Sequence, residues 1–393
     1  MAMRTTVLAL VALALHSTTA AQSLSIDASS ATVGRPDTTV PSGKDSTPPP
    51  EFKPSWHFDA WLFGTFTYET DSASKAVNGG NPSSQFTVDR AYLTFTGQVA
   101  PDWGFRVTTD VKTLPAANAI YNGLIIRLKY AYMQWDYLHA ATANDLSAWA
   151  RIGQIHTVVI EDEERFWPRW LQKTALEYWA IQPGAADLGA STQFTLPGHW
   201  GWVYFTIANG PGYQTAVDPD RYKDAAVRFS LTPAAKSSGY FKSFEVTPWI
   251  QIGRTTVAVA NGATLENDAG GVFVGNADPR LTFGAEYAER QVQTMPTAAK
   301  FTTTATVWDG FVIVRPGLFA DPKSRPWGIL VRYDDWMAST IPVSHRTLFL
   351  ASAFFDVAKA TSVGLSYQDD APHGNPALAP EKTMWQLNWQ LTF

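Results

Sequence analysis

The chain has 393 residues, 45% hydrophobic and 17% charged, with a formal net charge of −5 and no cysteine. Lack of cysteine excludes a disulfide framework and thiolate metal sites, and an acidic balance argues against a nucleic-acid partner, which needs a basic footprint. The 16 Trp, 14 Tyr and 22 Phe are a heavy load for a soluble enzyme and suit the aromatic belts of a membrane interface.

The N-terminus carries Arg4, an apolar run from Val7 to Leu15, then small residues through Ala21. Residues 1–21 therefore read as a secretory signal peptide, since the apolar run falls short of the roughly 20 residues a membrane-spanning helix needs. Residues 22–54 are rich in Ser, Thr and Pro, with Pro48-Pro49-Pro50 near the end, and are expected to form a flexible periplasmic spacer. Polar residues interrupt every later apolar run, so a membrane role must use strands.

From Trp56 onward the hydrophobic period is two. In the last segment Trp385, Leu387, Trp389, Leu391 and Phe393 alternate with Met384, Gln386, Asn388, Gln390 and Thr392. Ala91, Leu93 and Phe95 oppose Arg90, Tyr92 and Thr94 in the same way. Strand-like segments fall at 56–69, 85–99, 103–112, 124–137, 147–157, 187–196, 201–209, 223–232, 243–254, 280–291, 303–316, 327–337, 345–357, 361–370 and 383–393. A weaker one at Gly270 to Val274 brings the total to about 16, an even number as single-chain bacterial barrels require. Tight turns at 101–102, 197–200 and 358–360 contrast with long connections at 70–84, 113–123, 158–186, 210–222 and 371–382, the asymmetry of an outer-membrane barrel.

The expected fold is an all-β transmembrane antiparallel barrel over residues 55–393, placed in the outer membrane of a Gram-negative bacterium. In hydrocarbon every backbone amide needs an internal partner, which strands supply only when the sheet closes. A barrel of about 16 strands encloses a lumen wide enough for water. Passive diffusion of small polar or anionic solutes follows as the expected function, with no cofactor and no metal.

Several segments resemble one family, the phosphate-selective porin O/P type of outer-membrane channel: Val88-Asp89-Arg90-Ala91-Tyr92-Leu93, Trp103-Gly104-Phe105-Arg106-Val107, Leu128-Lys129-Tyr130-Ala131-Tyr132-Met133, Arg151-Ile152-Gly153-Gln154, Lys223-Asp224 before Arg228, and the terminal Phe393. The resemblance implies a 16-stranded homotrimeric porin with a long loop folded inward, and a terminal aromatic that serves as the signal for the barrel-assembly machinery. Members that select phosphate line the pore with arginines and lysines. The acidic balance and mixed lumen charges of this chain depart from that pattern, so the resemblance carries the fold and the diffusion role but not phosphate selectivity.

Alternation places Arg90 in the lumen, Arg127 and Lys129 opposite Leu128 and Tyr130, Arg228 opposite Val227 and Phe229, and Arg332 with Asp334 opposite Val331 and Tyr333. Asp89 adjoins Arg90 and is expected at an interface or a kink. The segment 158–186 contains Glu161, Asp162, Glu163, Glu164 and Arg165, then Pro168, which suits the start of a short helix reaching about Ala180. In that helix Arg169, Lys173 and Glu177 would share a face. This segment is the candidate constriction, with Glu161 to Glu164 opposing wall arginines; the alternative is a solvated loop tip, or a site for divalent cations near lipopolysaccharide. A barrel enzyme or adhesion scaffold is the other functional reading, with His156 and Ser147, or His345 and Ser344, as the pairs a hydrolase would use.

Overall fold

The computed structural model describes residues 51–113, 123–140, 146–182, 184–215, 218, 220–257, 263–295, 299–315, 326–339, 343–358, 361–374 and 380–393. The expected signal peptide and nearly all of the expected spacer lie outside the described residues. The strands are β1 (Ser55–Glu69), β2 (Ser83–Ala100), β3 (Trp103–Thr113), β4 (Leu124–Leu138), β5 (Ser147–His156), β6 (Ala186–Thr195), β7 (Gly201–Ala208), β8 (Asp224–Leu231), β9 (Glu245–Ile252), β10 (Arg254–Val257), β11 (Ala263–Ala277), β12 (Leu281–Thr294), β13 (Phe301–Val314), β14 (Trp327–Ala338), β15 (Ser344–Ala358), β16 (Thr361–His373) and β17 (Lys382–Thr392). β9 and β10 both pair with β11 and are halves of one strand interrupted at Gly253, so the barrel has sixteen staves.

Each stave pairs antiparallel with its chain neighbour, and β1 closes the cylinder against β17, from Trp61 opposite Thr392 to Glu69 opposite Met384. The seam is finished by the last residue: Ala60 N–H donates to the Phe393 carbonyl at 2.8 Å and Phe393 N–H to the Ala60 carbonyl at 3.1 Å. No sheet edge is left open, the condition a strand must meet in hydrocarbon.

The two-residue period resolves into an apolar exterior and a mixed interior. Ile126, Ile152, Ile207, Ile329 and Leu365 are all more than half exposed outside, as suits contact with lipid. Aromatic pairs band the outer surface near both rims: Trp103 stacks on Trp135 at 5.6 Å toward the turn end, and Tyr367 meets Trp385 at 5.1 Å toward the other. Such rings sit where the bilayer turns polar.

Two bulges reset the facing. Asp89 is the unpaired residue opposite Phe63 and Gly64, and its carboxylate accepts from the Thr65 hydroxyl; of the interface or kink expected from the sequence, it is the kink that is found. The second bulge corrects an expectation. Between Thr108 and Thr109 the register skips Lys129, so Tyr130 points inward and is 3% exposed rather than facing lipid beside Leu128. An extra residue inverts every side chain beyond it.

Loop lengths also differ from strict alternation. Residues 232–244 and 315–326 are long connections on the turn side, while 258–262, 295–300 and 339–343 are short ones on the loop side. Residues 232–244 fold back on the rim, where Asn276 donates to the Tyr240 carbonyl at 2.9 Å and the Ser243 hydroxyl accepts from Ala277 N–H at 3.0 Å.

Gly153 in β5 has φ +125°, and a Cβ there would lie 2.2 Å from the Ala131 carbonyl oxygen of β4. Gly153→Ala must move backbone as well as accept a conformation that side chains disfavour, each costing on the order of 1–3 kcal/mol. The expected result is a lower urea midpoint for the detergent-folded barrel; an unchanged midpoint would show that β4 and β5 shift freely.

Candidate functional site: the inner segment and the wall it leaves open

β5 ends at His156 and β6 begins at Ala186; residues 157–185 run between them against the inward faces of β8 to β16. Two apolar clusters hold them. In the first, Val158, Val159, Ile160, Leu176, Trp179 and Ile181 are buried with Trp249, Ala269, Ala288, Val307 and Leu348 of the wall. Small wall residues such as Ala269 and Ala288 make room for chain inside the cylinder. In the second, Phe166 meets Phe273 at 5.1 Å, Trp167 meets Phe311 at 5.0 Å and Trp170 meets Phe354 at 6.1 Å. Each buried aromatic of this size contributes about 1.5–3 kcal/mol, so the segment is anchored mainly by rings.

Polar anchors fix its register. Arg332 donates to both oxygens of Asp334, at 2.7 and 2.6 Å, and to the Lys173 carbonyl at 2.6 Å. Asp334 also accepts from Trp179 Nε1 at 2.7 Å, and Asp370 from the Tyr178 hydroxyl at 2.7 Å. Arg228 donates to the Val158 carbonyl at 2.8 Å and pairs with Asp162 at 3.4 Å, while Arg165 joins Asp162 to Glu245.

The acidic run divides. Glu161 lies 2.7 Å from His156 Nδ1 and 3.9 Å from Arg106; burial pushes its carboxyl up, but His156, Arg151 and Arg106 more than offset this and hold it below the ordinary range. Asp162 meets Arg228, a wall arginine, as expected. Glu164 pairs instead with Arg169 of the segment at 3.2 Å, and Glu163 turns toward Glu286 and Asp309. The expected opposition to wall arginines thus applies to Glu161 and Asp162 and not to the other two, because the chain turns through Ile160–Glu163 and points successive carboxylates in different directions.

The helix expected from Pro168 to about Ala180 is a single turn, Ala175–Tyr178, whose start is capped by the Thr174 hydroxyl accepting from Glu177 N–H at 3.4 Å. Thr174 is the stronger N-cap, and burial of Trp167, Trp170 and Leu171 in the ring cluster overrides the helical signal before it. Arg169 still reaches Glu177 at 3.2 Å.

The segment anchors on the β8–β16 side and faces the inward side of β2 to β5, where cations predominate; Arg90, Lys129 and Arg151 are under a tenth exposed there, and Tyr92 packs into the segment's ring cluster. Arg90 and Arg127 share one carboxylate, Asp110, at 2.6 and 3.0 Å, and Tyr213 donates to the same oxygen at 3.0 Å. Lys129 lies over the rings of Tyr92 and Tyr130 at 4.3 and 5.1 Å, Arg106 over Tyr130 at 4.6 Å and Arg151 over Tyr132 at 4.6 Å. Such stacking holds a cation without neutralising it. Among the described residues Lys112, Lys129, Arg151 and Lys173 have no carboxylate within ion-pair distance.

Of the residues singled out in the sequence, Arg90, Arg127, Lys129, Arg228, Arg332 and Asp334 all face inward, but they separate: the first three line the β2–β5 wall, and the last three hold the segment. Asp110 and Lys112 are site residues the sequence reading missed, while Arg151 stood there only within the family resemblance and His156 only as a hydrolase candidate. Alternation alone would have turned Asp110 and Lys112 inward on β3. The buried wall residues Leu330, Leu348 and Leu350 had a signal too, since Ile329-Leu330-Val331 and Leu348-Phe349-Leu350 are continuous apolar runs, which mark strands covered on both faces.

No protein-family model matches the chain, and no curated protein is similar to it in sequence. Solved structures are similar in fold. A Salmonella typhi OmpF complex with daunomycin aligns with TM-score 0.58 at 12% identity, over 86% of this chain and 97% of that one. An anion-selective porin from Comamonas acidovorans aligns with TM-score 0.55 at 10% identity, over 87% and 100%. The trimer form of OmpT, an outer membrane protein of Vibrio cholerae, aligns with TM-score 0.55 at 10% identity, over 86% and 99%. At these identities the likeness concerns architecture, and with the closed apolar-skinned cylinder it establishes a 16-strand porin fold of the Gram-negative outer membrane.

Proposed function

We propose that the protein is a passive channel for small polar solutes that prefers anions, narrowed by residues 157–185 to an opening against the β2–β5 wall. The observation that carries this reading is the set of wall and segment cations, Lys112, Lys129, Arg151 and Lys173, that have no carboxylate partner among the described residues. In a narrow low-dielectric passage such charges concentrate counter-ions. Phosphate-like ions are among the solutes such a field would admit.

The test is the reversal potential in planar bilayers under a potassium chloride gradient. A potential of the anion-selective sign is expected, with chloride current reduced by added phosphate. A cation-selective or unselective open channel would reject the anion preference, and absence of stepwise current would reject the channel.

The hydrolase reading gains no support from geometry. Ser147 and His156 sit at opposite ends of β5, about 30 Å apart at 3.3 Å per residue. Ser344 and His345 are successive strand residues and face opposite ways, and His345 is engaged with Asp335 at 3.0 Å. A homotrimer, recognition of Phe393 by the assembly machinery, contact with lipopolysaccharide, and cleavage of residues 1–21 ahead of a spacer over 22–54 complete the proposal.

A further inference from the structure

Beneath the inner segment lies a group of carboxylates that passage of solutes does not use. Glu163 of the segment, 4% exposed, faces Glu286 of β12, also 4% exposed, and Asp309 of β13. With Thr174, Trp167, Ala175, Phe273, Phe311 and Arg332 they line a small cavity of about 10 Å³. Glu163 Oε1 and Asp309 Oδ1 are buried without a hydrogen-bond partner.

The charged and polar groups around the cluster do not neutralise it. From β14 come Arg332 and Asp334, but Arg332 spends two of its donors on Asp334 and a third on the Lys173 carbonyl. From β9 comes Trp249, whose Nε1 donates to Glu286 Oε1 at 3.3 Å. From the segment come the Thr174 hydroxyl and Trp179, whose Nε1 is taken by Asp334. Three facing carboxylates without a dedicated cation cannot all be ionised in such a place, because like charges a few ångströms apart in a low dielectric repel by several kcal/mol.

We propose that Glu163 and Glu286 share a proton across the boundary between segment and wall, and that this proton is a latch that keeps residues 157–185 docked. Burial, then Glu286 and Asp309, push the Glu163 carboxyl well above the ordinary carboxylate range. The docked segment therefore binds a proton that the released segment gives up, so raising the pH favours release. Acid keeps the segment seated and alkali loosens it, and the passage becomes less uniform as it loosens. The ring clusters limit the motion to the turn around Glu163.

The latch is tested by hydrogen exchange of the segment, read by mass spectrometry on the full detergent-folded protein, comparing wild type with Glu163→Gln at each pH so that intrinsic exchange chemistry cancels. As the pH is raised from acid to alkaline, wild-type exchange around residues 158–167 is expected to rise about tenfold relative to the variant. An equal pH response in both proteins would overturn the proposal. Asp309→Asn, which removes one of the charges that raise the Glu163 carboxyl but keeps Glu163 and Glu286, provides a second reading should Glu163→Gln not fold: it is expected to shift the loosening to lower pH and to reduce its extent, and an unchanged profile would count against the latch. If added calcium ion abolishes the alkaline loosening and a chelator induces it at acid pH, the cluster holds a cation and the shared proton is wrong. Because exchange reports the segment directly, the result stands apart from whether the barrel conducts anions.

Discussion

Arg332→Ala is expected to lower the stability of the folded barrel by about 3–5 kcal/mol and to enlarge its conductance. The guanidinium is 1% exposed, binds Asp334 through two donors, holds the Lys173 carbonyl and lies 4.7 Å from the Trp167 ring. Removing it leaves Asp334 buried with Trp179 Nε1 still donating to it, and a buried charge that has lost its ion partner costs about that much. It also removes the nearest cation from Glu286 and Asp309. Urea unfolding of the detergent-folded protein measures the first effect and single-channel current the second. A stability loss under about 1 kcal/mol, typical of an exposed pair, would mean that water reaches this site. Combining Arg332→Met with Asp334→Leu separates charge from anchoring: stability is expected to return toward wild type, because a buried pair and a well-packed apolar pair are close in free energy. The enlarged current is expected to persist, since Lys173 still has lost its donor.

Arg127→Glu with Lys129→Glu is expected to reverse the ion preference, lowering the anion-to-cation permeability ratio at least about tenfold, or about 1.4 kcal/mol. Both side chains lie on the inward face of β4, opposite the inner segment. Asp110 already serves Arg90 and Arg127 together, so two introduced carboxylates would find few free donors. Lys112→Glu alone on β3 avoids the ring sandwich around Lys129 and is expected to give a smaller change of the same sign, while Lys382→Glu at an exposed strand end leaves the ratio unaltered. The measurement is the reversal potential across a salt gradient, made at low and high ionic strength; an effect that does not weaken with salt would point to altered shape rather than field.

The proposed anion preference is compatible with an acidic chain because of how the segment docks. Net charge counts the carboxylates of the covered β8–β16 face, among them Glu245, Glu286, Asp309 and Asp334, many of which are buried under residues 157–185. What faces the opening is the β2–β5 wall with Arg90, Lys112, Arg127, Lys129 and Arg151. The field a solute meets is set by the charges left uncovered, which a sum over the chain does not record.

The strands, their number and most of their facing were legible because lipid and water impose a period of two on each crossing segment, and such a pattern is local: Trp385 to Phe393 displays it without reference to any other residue. The weak segment at Gly270 to Val274 proved to be the middle of β11, where Gly271 lies close against Tyr287 and Ala288 of β12. Local pattern also sufficed for the kink at Asp89 and for the inward placement of Arg332 and Asp334. Tertiary structure alone decided what happens inside the cylinder. The bulge that turns Tyr130 inward depends on how β4 registers against β3, the short helical turn at Ala175 on rings of distant strands, and the different fates of Glu161, Asp162, Glu163 and Glu164 on which wall residues each happens to meet. Several of the contacts that settle these points join residues far apart in the chain, such as Trp179 and Asp334, and neither partner carries a local sign of the other.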